Sequence, residues 1–348
     1  MNVTIKDIAK AAGVSHPTVS RALNNHQAIS EATRKRIIKL AKKMEYVPNA
    51  AARGLKTNRT RALGVIMQQI DDPFWSEVLD GVDSLLHPEG YSLFIASTHN
   101  EKQREKGVVQ AMVQRGVDGV ILFSPQFREG QFQILNSYDL PMVMVNNEGA
   151  GECRYLIYND DVYGAGLVTK HLIDFGHTRL AFLGKRQSES SKNRLMGFRA
   201  EMNAAGLPID ERYIYETSAG NPTGGREGAE YLISLGENPS GIVCYNDFLA
   251  IGVYNYLQEK GLRIPQDVSV TGFDNISIAE FLSPPLTTLH QYKFELGEGA
   301  ARMMLEVLSN QQQKKREYSP SKKVNLRGIL KIRASTTSFV SRASNQPY

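Results

Sequence analysis

The chain has 348 residues, 41% of them apolar and 22% charged, with a formal net charge of +5 and two cysteines. A chain of that length divides into two or three domains, and it has neither an apolar run of about 18 residues to span a membrane as a helix nor, in MNVTIKDIAK, the apolar core of a secretory signal. Cys153 and Cys244 lie far apart with no CxxC pattern, so no zinc framework or disulfide scaffold is expected and a reducing cytoplasm fits.

The charge is uneven. Residues 1–60 hold twelve Lys or Arg against three Asp or Glu, a net of +9, which leaves −4 for residues 61–348. Positive charge concentrated in one small module is what a polyanion binder requires. The pattern inside that module is helical. In TIKDIAKAAGVSHPTVSRALN, Thr4 can N-cap a first helix with Asp7 completing a capping box. Ile5, Ile8, Ala9 and Ala12 share a face, and Gly13 breaks the helix. Ser15 then caps a second helix with Pro17 near its first position, where a missing N–H costs little. Val19, Ala22 and Leu23 line its buried side, leaving His16, Pro17, Thr18, Ser20 and Arg21 for other faces, the shape a major groove accepts. A third helix follows and is expected to stop at Pro48. AAARGL, at 50–55, has helical propensity over only about two turns, so it orders only when something packs on it.

From Leu63 onward the pattern alternates. Strand-like runs fall at ALGVIM, YSLFIAS, GVILF, PMVMV, RLAFLG, GIVCY and VSVTGF. Amphipathic stretches lie between them, from FWSEVLDGVDSLLHPEG to DFLAIGVYNYLQEKG, and many end in Gly as C-caps do. Continuous apolar strands between helices predict an α/β fold with doubly wound parallel sheets. The length predicts two side-by-side subdomains. Residues 311–323, QQQKKREYSPSKK, read as a surface loop or crossover, GILKIRAST as a late strand, and 341–348 as a disordered tail.

In such folds ligands bind beyond the C-terminal strand ends. Asp72, Phe74 and Trp75 follow ALGVIM, Ser124 follows GVILF, and Asn146 and Asn147 follow PMVMV. Arg194 follows RLAFLGKRQSESS, Asn246 and Asp247 follow GIVCY, and Asp274 and Asn275 follow VSVTGF. Donors and acceptors beside flat apolar rings suit a small polyhydroxylated ligand. The stretch YGAG at 163–166 follows NDDV rather than a strand end and reads as a helix start, not a dinucleotide loop. No catalytic set of Ser, His and Asp is found, so an enzyme is not expected, and neither a metal nor a cofactor is called for.

The chain strongly resembles the lactose/galactose-repressor (LacI/GalR) family of bacterial transcription regulators. The resemblance runs from Thr4 to about Thr336 and rests on TIKDIAKAAGVSHPTVSRALN, YVPNAAARGL, DDPFW, GVDGVILF, NRLMGFR, YNDFLAIG, DVSVTGFDN and SPPLTTL. It implies a helix-turn-helix headpiece (1–47), a hinge helix and linker (48–60), and a periplasmic-binding-protein-like core (61–340). The core would divide into an N-subdomain, about 61–160 and 291–321, and a C-subdomain, about 161–290 and 322–340. It further implies a homodimer on a near-palindromic double-stranded DNA operator and no membrane association. Matched by motif, Thr4, Ile5, Ser15, His16, Pro17, Thr18, Arg21 and Asn24 fall where the headpiece meets DNA. Asn49, Ala52 and Leu55 fall on the hinge helix, Leu55 as the minor-groove wedge. Asp72, Phe74, Trp75, Ser124, Asn146, Arg194, Asn246 and Asp274 fall at or near effector positions. Three departures stand out. Pro17 has no donor to offer a base, GNPTGG occupies the stretch near 220–223 where the family often places an aromatic, and no leucine heptads follow residue 336.

The expected function is a cytoplasmic, dimeric, sequence-specific regulator. It is expected to act as a repressor controlled by a sugar or sugar derivative. The alternative within the family is a corepressor such as a nucleobase or a phosphorylated carrier protein. From other classes stand a soluble sugar-binding protein without a DNA role, which the basic module opposes, and an α/β enzyme.

Overall fold

The computed structural model describes residues 3–46, 59–99, 101–123, 135, 137–146, 153–312 and 321–339. The expected hinge helix with Asn49, Ala52 and Leu55, the residues Ser124 and Asn147, and the tail 341–348 lie outside them. The chain forms two compact units, one up to Thr60 and one from Arg61 onward.

The first unit holds α1 (Ile5–Ala12), α2 (His16–Leu23) and α3 (Glu31–Lys43). Each end is built by local chemistry. Thr4 and Asp7 close a capping box, and Gly13 ends α1 at φ 63°. Ser15 and Ser30 cap the next two helices through the backbone N–H groups of Thr18 and Thr33. Ile8, Ala9, Ala12, Val19, Ala22, Ile37 and Ala41 form the core. The end of α3 differs from expectation: the helix stops at Lys43, before Pro48. Glu45 takes φ 53°, and the N–H groups of Glu45 and Tyr46 donate back to the carbonyls of Lys42 and Ala41. That is a Schellman closure without glycine, so proline is not what ends the helix.

The second unit contains two six-stranded sheets. The first comprises β1 (Ala62–Met67), β2 (Ser92–Ser97), β3 (Gly119–Phe123), β4 (Met142–Val145), β5 (Tyr155–Asn159) and β11 (Lys322–Leu326), in the order β11-β5-β4-β3-β1-β2. The second comprises β6 (Leu180–Lys185), β7 (Ile214–Thr217), β8 (Gly241–Cys244), β9 (Ser269–Asp274), β10 (Thr287–His290) and β12 (Ile329–Lys331), in the order β12-β10-β9-β8-β6-β7. Every pairing is parallel except β10 with β12. The helices are α4 (Pro73–Leu86), α5 (Lys102–Gln114), α6 (Asp161–Asp174), α7 (Glu189–Ala204), α8 (Pro222–Ser234), α9 (Asp247–Glu259) and α10 (Lys293–Gln312).

The central strands of each sheet are buried on both faces, which is why they read as unbroken apolar runs. Val65, Ile121, Val143 and Ile157 face a cluster with residues of α4 and α10. Their neighbours Ile66, Val120, Leu122 and Met144 face another with Val109 and Met112 of α5. Helix ends follow the glycine pattern. Gly90, Gly116, Gly176, Gly206, Gly236 and Gly261 all take positive φ between 65° and 87°. At Gly81 the need is steric instead, because a Cβ there would lie 2.1 Å from the carbonyl oxygen of Phe294, so α4 and α10 pack backbone to backbone.

The structure corrects several expectations. YGAG does follow a strand, since β5 ends at Asn159 and α6 begins two residues later at Asp161. Lys322 and Lys323, read as loop and placed in the C-subdomain, belong to β11, which pairs with β5 in the first sheet. The last crossover between sheets therefore falls at Arg327–Gly328, between β11 and β12. Four strands, β5, β7, β10 and β11, were not singled out from the sequence, because Thr, Tyr, Asn and Lys dilute their apolar pattern. Helix α10 went unnamed too, since its first half is rich in Gly and Glu. No helix among the described residues is long and apolar enough to cross a membrane.

Candidate functional site

In the first unit, α2 presents one continuous polar face. His16, Pro17, Arg21 and Asn24 are exposed, while Val19 and Ala22 are buried beneath them. Ser15 and Thr18 exchange a hydroxyl hydrogen bond at 2.8 Å, which fixes the start of the helix. The Asn24 amide donates to the Ser20 carbonyl at 2.8 Å, so it is folded onto its own helix rather than projecting freely. Thr4 is engaged in its capping box, its hydroxyl donating to Asp7 at 2.6 Å, and Ile5 is half-buried against the core. That hydroxyl holds the Asp7 carboxyl below the usual carboxylate range. Lys6 and Lys10 of α1 and Lys35, Arg36, Lys39, Lys42 and Lys43 of α3 are exposed as well. A short helix with polar outer residues in a cationic unit can enter a major groove while exposed cations neutralise phosphates.

In the second unit a polar cleft opens where strands of both sheets end. Seven of the eight residues expected to meet an effector line it: Asp72, Phe74, Trp75, Asn146, Arg194, Asn246 and Asp274. The eighth, Ser124, is outside the described residues. Gln68, Gln69, Lys185, Ser188, Ser190 and Tyr245 line it as well and were missed. The strand-end rule should have found them. Gln68 and Gln69 directly follow β1, Lys185 ends β6, and Tyr245 directly follows β8.

Several of these residues hold the backbone in place. Asp72 caps α4, its Oδ1 accepting from the Phe74 N–H at 3.0 Å. Asn246 caps α9 by accepting from the Leu249 N–H at 2.8 Å, and its amide donates to the Gly220 carbonyl. The Asn146 side-chain oxygen Oδ1 accepts from the Asn159 backbone N–H at 3.0 Å. Capping and lining the cleft are the same act here, because a helix that starts at a strand end points its cap into the crevice. Trp75 is stacked on Phe123 with centroids 5.1 Å apart, and Phe74 meets Trp75 edge-on at 4.8 Å, forming one aromatic wall.

Arg194 organises the opposite side. It is 5% exposed. Its Nε donates to Asp161 at 2.8 Å, one Nη donates to the Tyr245 carbonyl, and the same Nη lies 3.6 Å from Asp274 Oδ1. The guanidinium is sandwiched 3.7 Å from the Phe273 ring centroid and 4.6 Å from that of Tyr245. Burial works against this charge, and the carboxylates of Asp161 and Asp274 outweigh it and hold the arginine pKa up. Burial raises Asp161, Asp72 and Asp274 above the carboxylate range, although Arg194 pulls each of them down. It lowers Lys185, with Asp72 opposing, and it pushes the Tyr245 hydroxyl up to about 12.

Asp274 adopts φ 113°, a conformation that costs a non-glycine residue of order 1–3 kcal/mol and clusters at ligand sites. The Gln291 amide donates to its carboxylate. Among the described residues the buried donor Gln68 Nε2 has no hydrogen-bond partner. The strand-end residues Asp247 and Asn275 do not line the cleft. Asp247 turns inward to accept from the Ile276 N–H at 2.8 Å and the Thr288 hydroxyl, and Asn275 bonds to Arg333 at 2.7 Å.

A cationic helix-turn-helix unit joined in one chain to a two-sheet unit with a strand-end cleft defines a DNA-binding regulator that carries a candidate ligand site. Comparison with known proteins places it further. Residues 4–49 match the family model "Bacterial regulatory proteins, lacI family", and residues 169–336 match a periplasmic binding protein-like domain. The HTH-type transcriptional repressor PurR of Vibrio parahaemolyticus is 34% identical over 330 residues, 94% of this chain and 98% of that protein. Among solved structures, the complex of the transcriptional regulator CelR with cellobiose superposes with a TM-score of 0.73 at 25% identity, covering 96% of this chain and all of that one. The Lac repressor dimer bound to operator and an anti-inducer shares the fold with a TM-score of 0.87 at 23% identity, covering 97% of this chain and 100% of that one. The chain belongs to the lacI family of bacterial regulatory proteins and is a DNA-binding transcriptional repressor of that family.

Proposed function

We propose that this repressor is controlled by a small polyhydroxylated ligand, a sugar or sugar derivative, bound in the cleft of the second unit. The observation that carries the reading is the convergence of Asp72, Asn146, Arg194, Asn246 and Asp274 on one crevice beside the Phe74–Trp75 wall. Carboxylates accept from hydroxyls, the guanidinium donates a rigid fork, and the amides do both. Gln68 Nε2 adds a buried donor in need of an acceptor.

A second reading, a nucleobase corepressor, is favoured by the full-length likeness to repressors named PurR. A flat base needs an apolar face on each side. Here the aromatic wall supplies one, whereas the rings of Tyr245 and Phe273 are already covered by Arg194. GNPTGG supplies no aromatic ring either, and its Asn221 caps α8 instead. The polyol is therefore the better fit.

In this reading the repressor acts as a homodimer on a near-palindromic operator. His16, Pro17, Thr18 and Arg21 meet the major groove, Thr4, Ile5, Ser15 and Asn24 support the contact, and Asn49, Ala52 and Leu55 meet the minor groove. Ligand in the cleft selects one orientation of the two sheets, and that orientation sets the spacing of the hinge segments. A ligand moves such an equilibrium only by its differential affinity for the two states. The test is a thermal-shift screen of sugars, sugar derivatives and nucleobases. A ligand at 100 times its Kd stabilises by about 2.7 kcal/mol. Stabilisation by a sugar and by no nucleobase is the expected result, and the reverse selects the second reading.

A further inference from the structure

Lys293 is 1% exposed, an unusual place for a lysine, and it is not part of the cleft. It begins α10, just after β10, where the chain crosses from the second sheet back to the first. Its Nζ donates to the carbonyl oxygens of Asp274 at 2.8 Å and Asn275 at 3.0 Å, the two residues that close β9 with positive φ. The same Nζ lies 3.3 Å from Glu77 Oε2 on α4. Gln291, two residues earlier, donates to the Asp274 carboxylate. The crossover thus grips Asp274 twice, by its side chain and by its carbonyl, and reaches across to the helix that begins with Asp72, Phe74 and Trp75. The close packing of α4 on α10 at Gly81 and Gly297 leaves Lys293 and Glu77 little freedom to separate while both helices stay paired.

We propose that Lys293 is a positioning residue that ties the Asp274 turn of the second sheet to helix α4 of the first, through its carbonyl hydrogen bonds on one side and Glu77 on the other. The importance of Asp274 rests on the function proposed above, but the link is a property of the ligand-free chain. It fixes how the two sheets are oriented before any ligand arrives. A ligand that moves Asp274 must then move α4 with it or break the Lys293 bonds to the Asp274 and Asn275 carbonyls.

The test uses the full chain without ligand. Ser309→Cys on α10 and Ser234→Cys on α8 place nitroxide labels on the two halves, both positions being exposed. Cys153 and Cys244 are buried and escape labelling. Labelled chain diluted into unlabelled chain reports the intramolecular distance by pulsed electron resonance. The background protein should give one narrow distribution. Lys293→Met, which removes both carbonyl bonds and the Glu77 pair, should broaden it or add a second distance a few ångströms away. Lys293→Gln, shorter and neutral, should do the same while keeping a polar group in that buried place. Glu77→Ala, which leaves the carbonyl bonds intact, should give a smaller change. Distributions for Lys293→Gln that superimpose on the background overturn the proposal, and they do so even if Lys293→Met fails to fold. No ligand is needed, so a failed thermal-shift screen would count against the proposed function and leave this result standing.

Discussion

Replacing Arg194 by methionine removes the charge on which the cleft is built while keeping much of the side-chain volume. In the folded chain the guanidinium neutralises Asp161 at 2.8 Å, faces Asp274 at 3.6 Å, and satisfies the Tyr245 carbonyl, all in a place where it is 5% exposed. Truncating one partner of a buried, hydrogen-bonded ion pair strands the other and costs about 3–5 kcal/mol. Against a total stability of roughly 5–15 kcal/mol, such a loss is large. For a unit of this size each kcal/mol moves the melting temperature by about 2–4 °C, so the variant should melt roughly 10 °C lower. Urea unfolding of Arg194→Met against the parent measures the difference. Asp161→Asn in the same background should recover part of it, because the stranded carboxylate is then neutral. A single variant within about 1 kcal/mol of the parent would refute the reasoning, since that is the range of exposed ion pairs.

Other consequences can be measured separately. Arg21→Ala should lose roughly 1–3 kcal/mol of discrimination between operator and scrambled DNA; equal losses on both would mean that Arg21 touches only phosphate. Operator affinity should fall steeply with salt, log K changing by about −0.9 per phosphate neutralised for each decade, and a nearly flat slope would contradict a groove-bound cationic unit. Burial pushes the Asp247 carboxyl up to about 7. Between its unfolded value near pH 4 and that value, the folded chain keeps a proton that the unfolded chain has lost. This contribution to stability is full below about pH 4 and declines as pH rises towards 7. Asp247→Asn, neutral at every pH, should flatten the stability profile between about pH 5 and 7, and coincident profiles would exclude Asp247 as its source.

The parts of this fold that were legible in the sequence are those decided within a few residues. Caps such as Thr4 and Ser15 sit next to the N–H groups they satisfy. The helix-ending glycines take the left-handed conformation that their residue type permits. Strands buried on both faces announce themselves as apolar runs. What escaped depends on distant partners. β11 is a Lys-rich edge strand that exists because it pairs with β5, 167 residues earlier, as Lys322 beside Tyr155 shows. Lys293 reads as an ordinary surface lysine until β10 and α10 bring it against the Asp274 turn. The strand-end rule located the cleft, and the resemblance sharpened the choice of residues within it. Neither could show that Asp247 points inward while its neighbour Asn246 faces the crevice.

The most direct measurement is an operator-binding titration with and without the ligand that the thermal-shift screen identifies, made on the parent and on Asp274→Ala. If ligand in the cleft governs DNA binding, the parent's two curves separate. Those of Asp274→Ala coincide, close to the parent's ligand-free curve if the ligand releases DNA and likewise if it promotes binding. An Asp274→Ala repressor whose operator affinity shifts with ligand as far as the parent's would place the controlling site elsewhere in the chain.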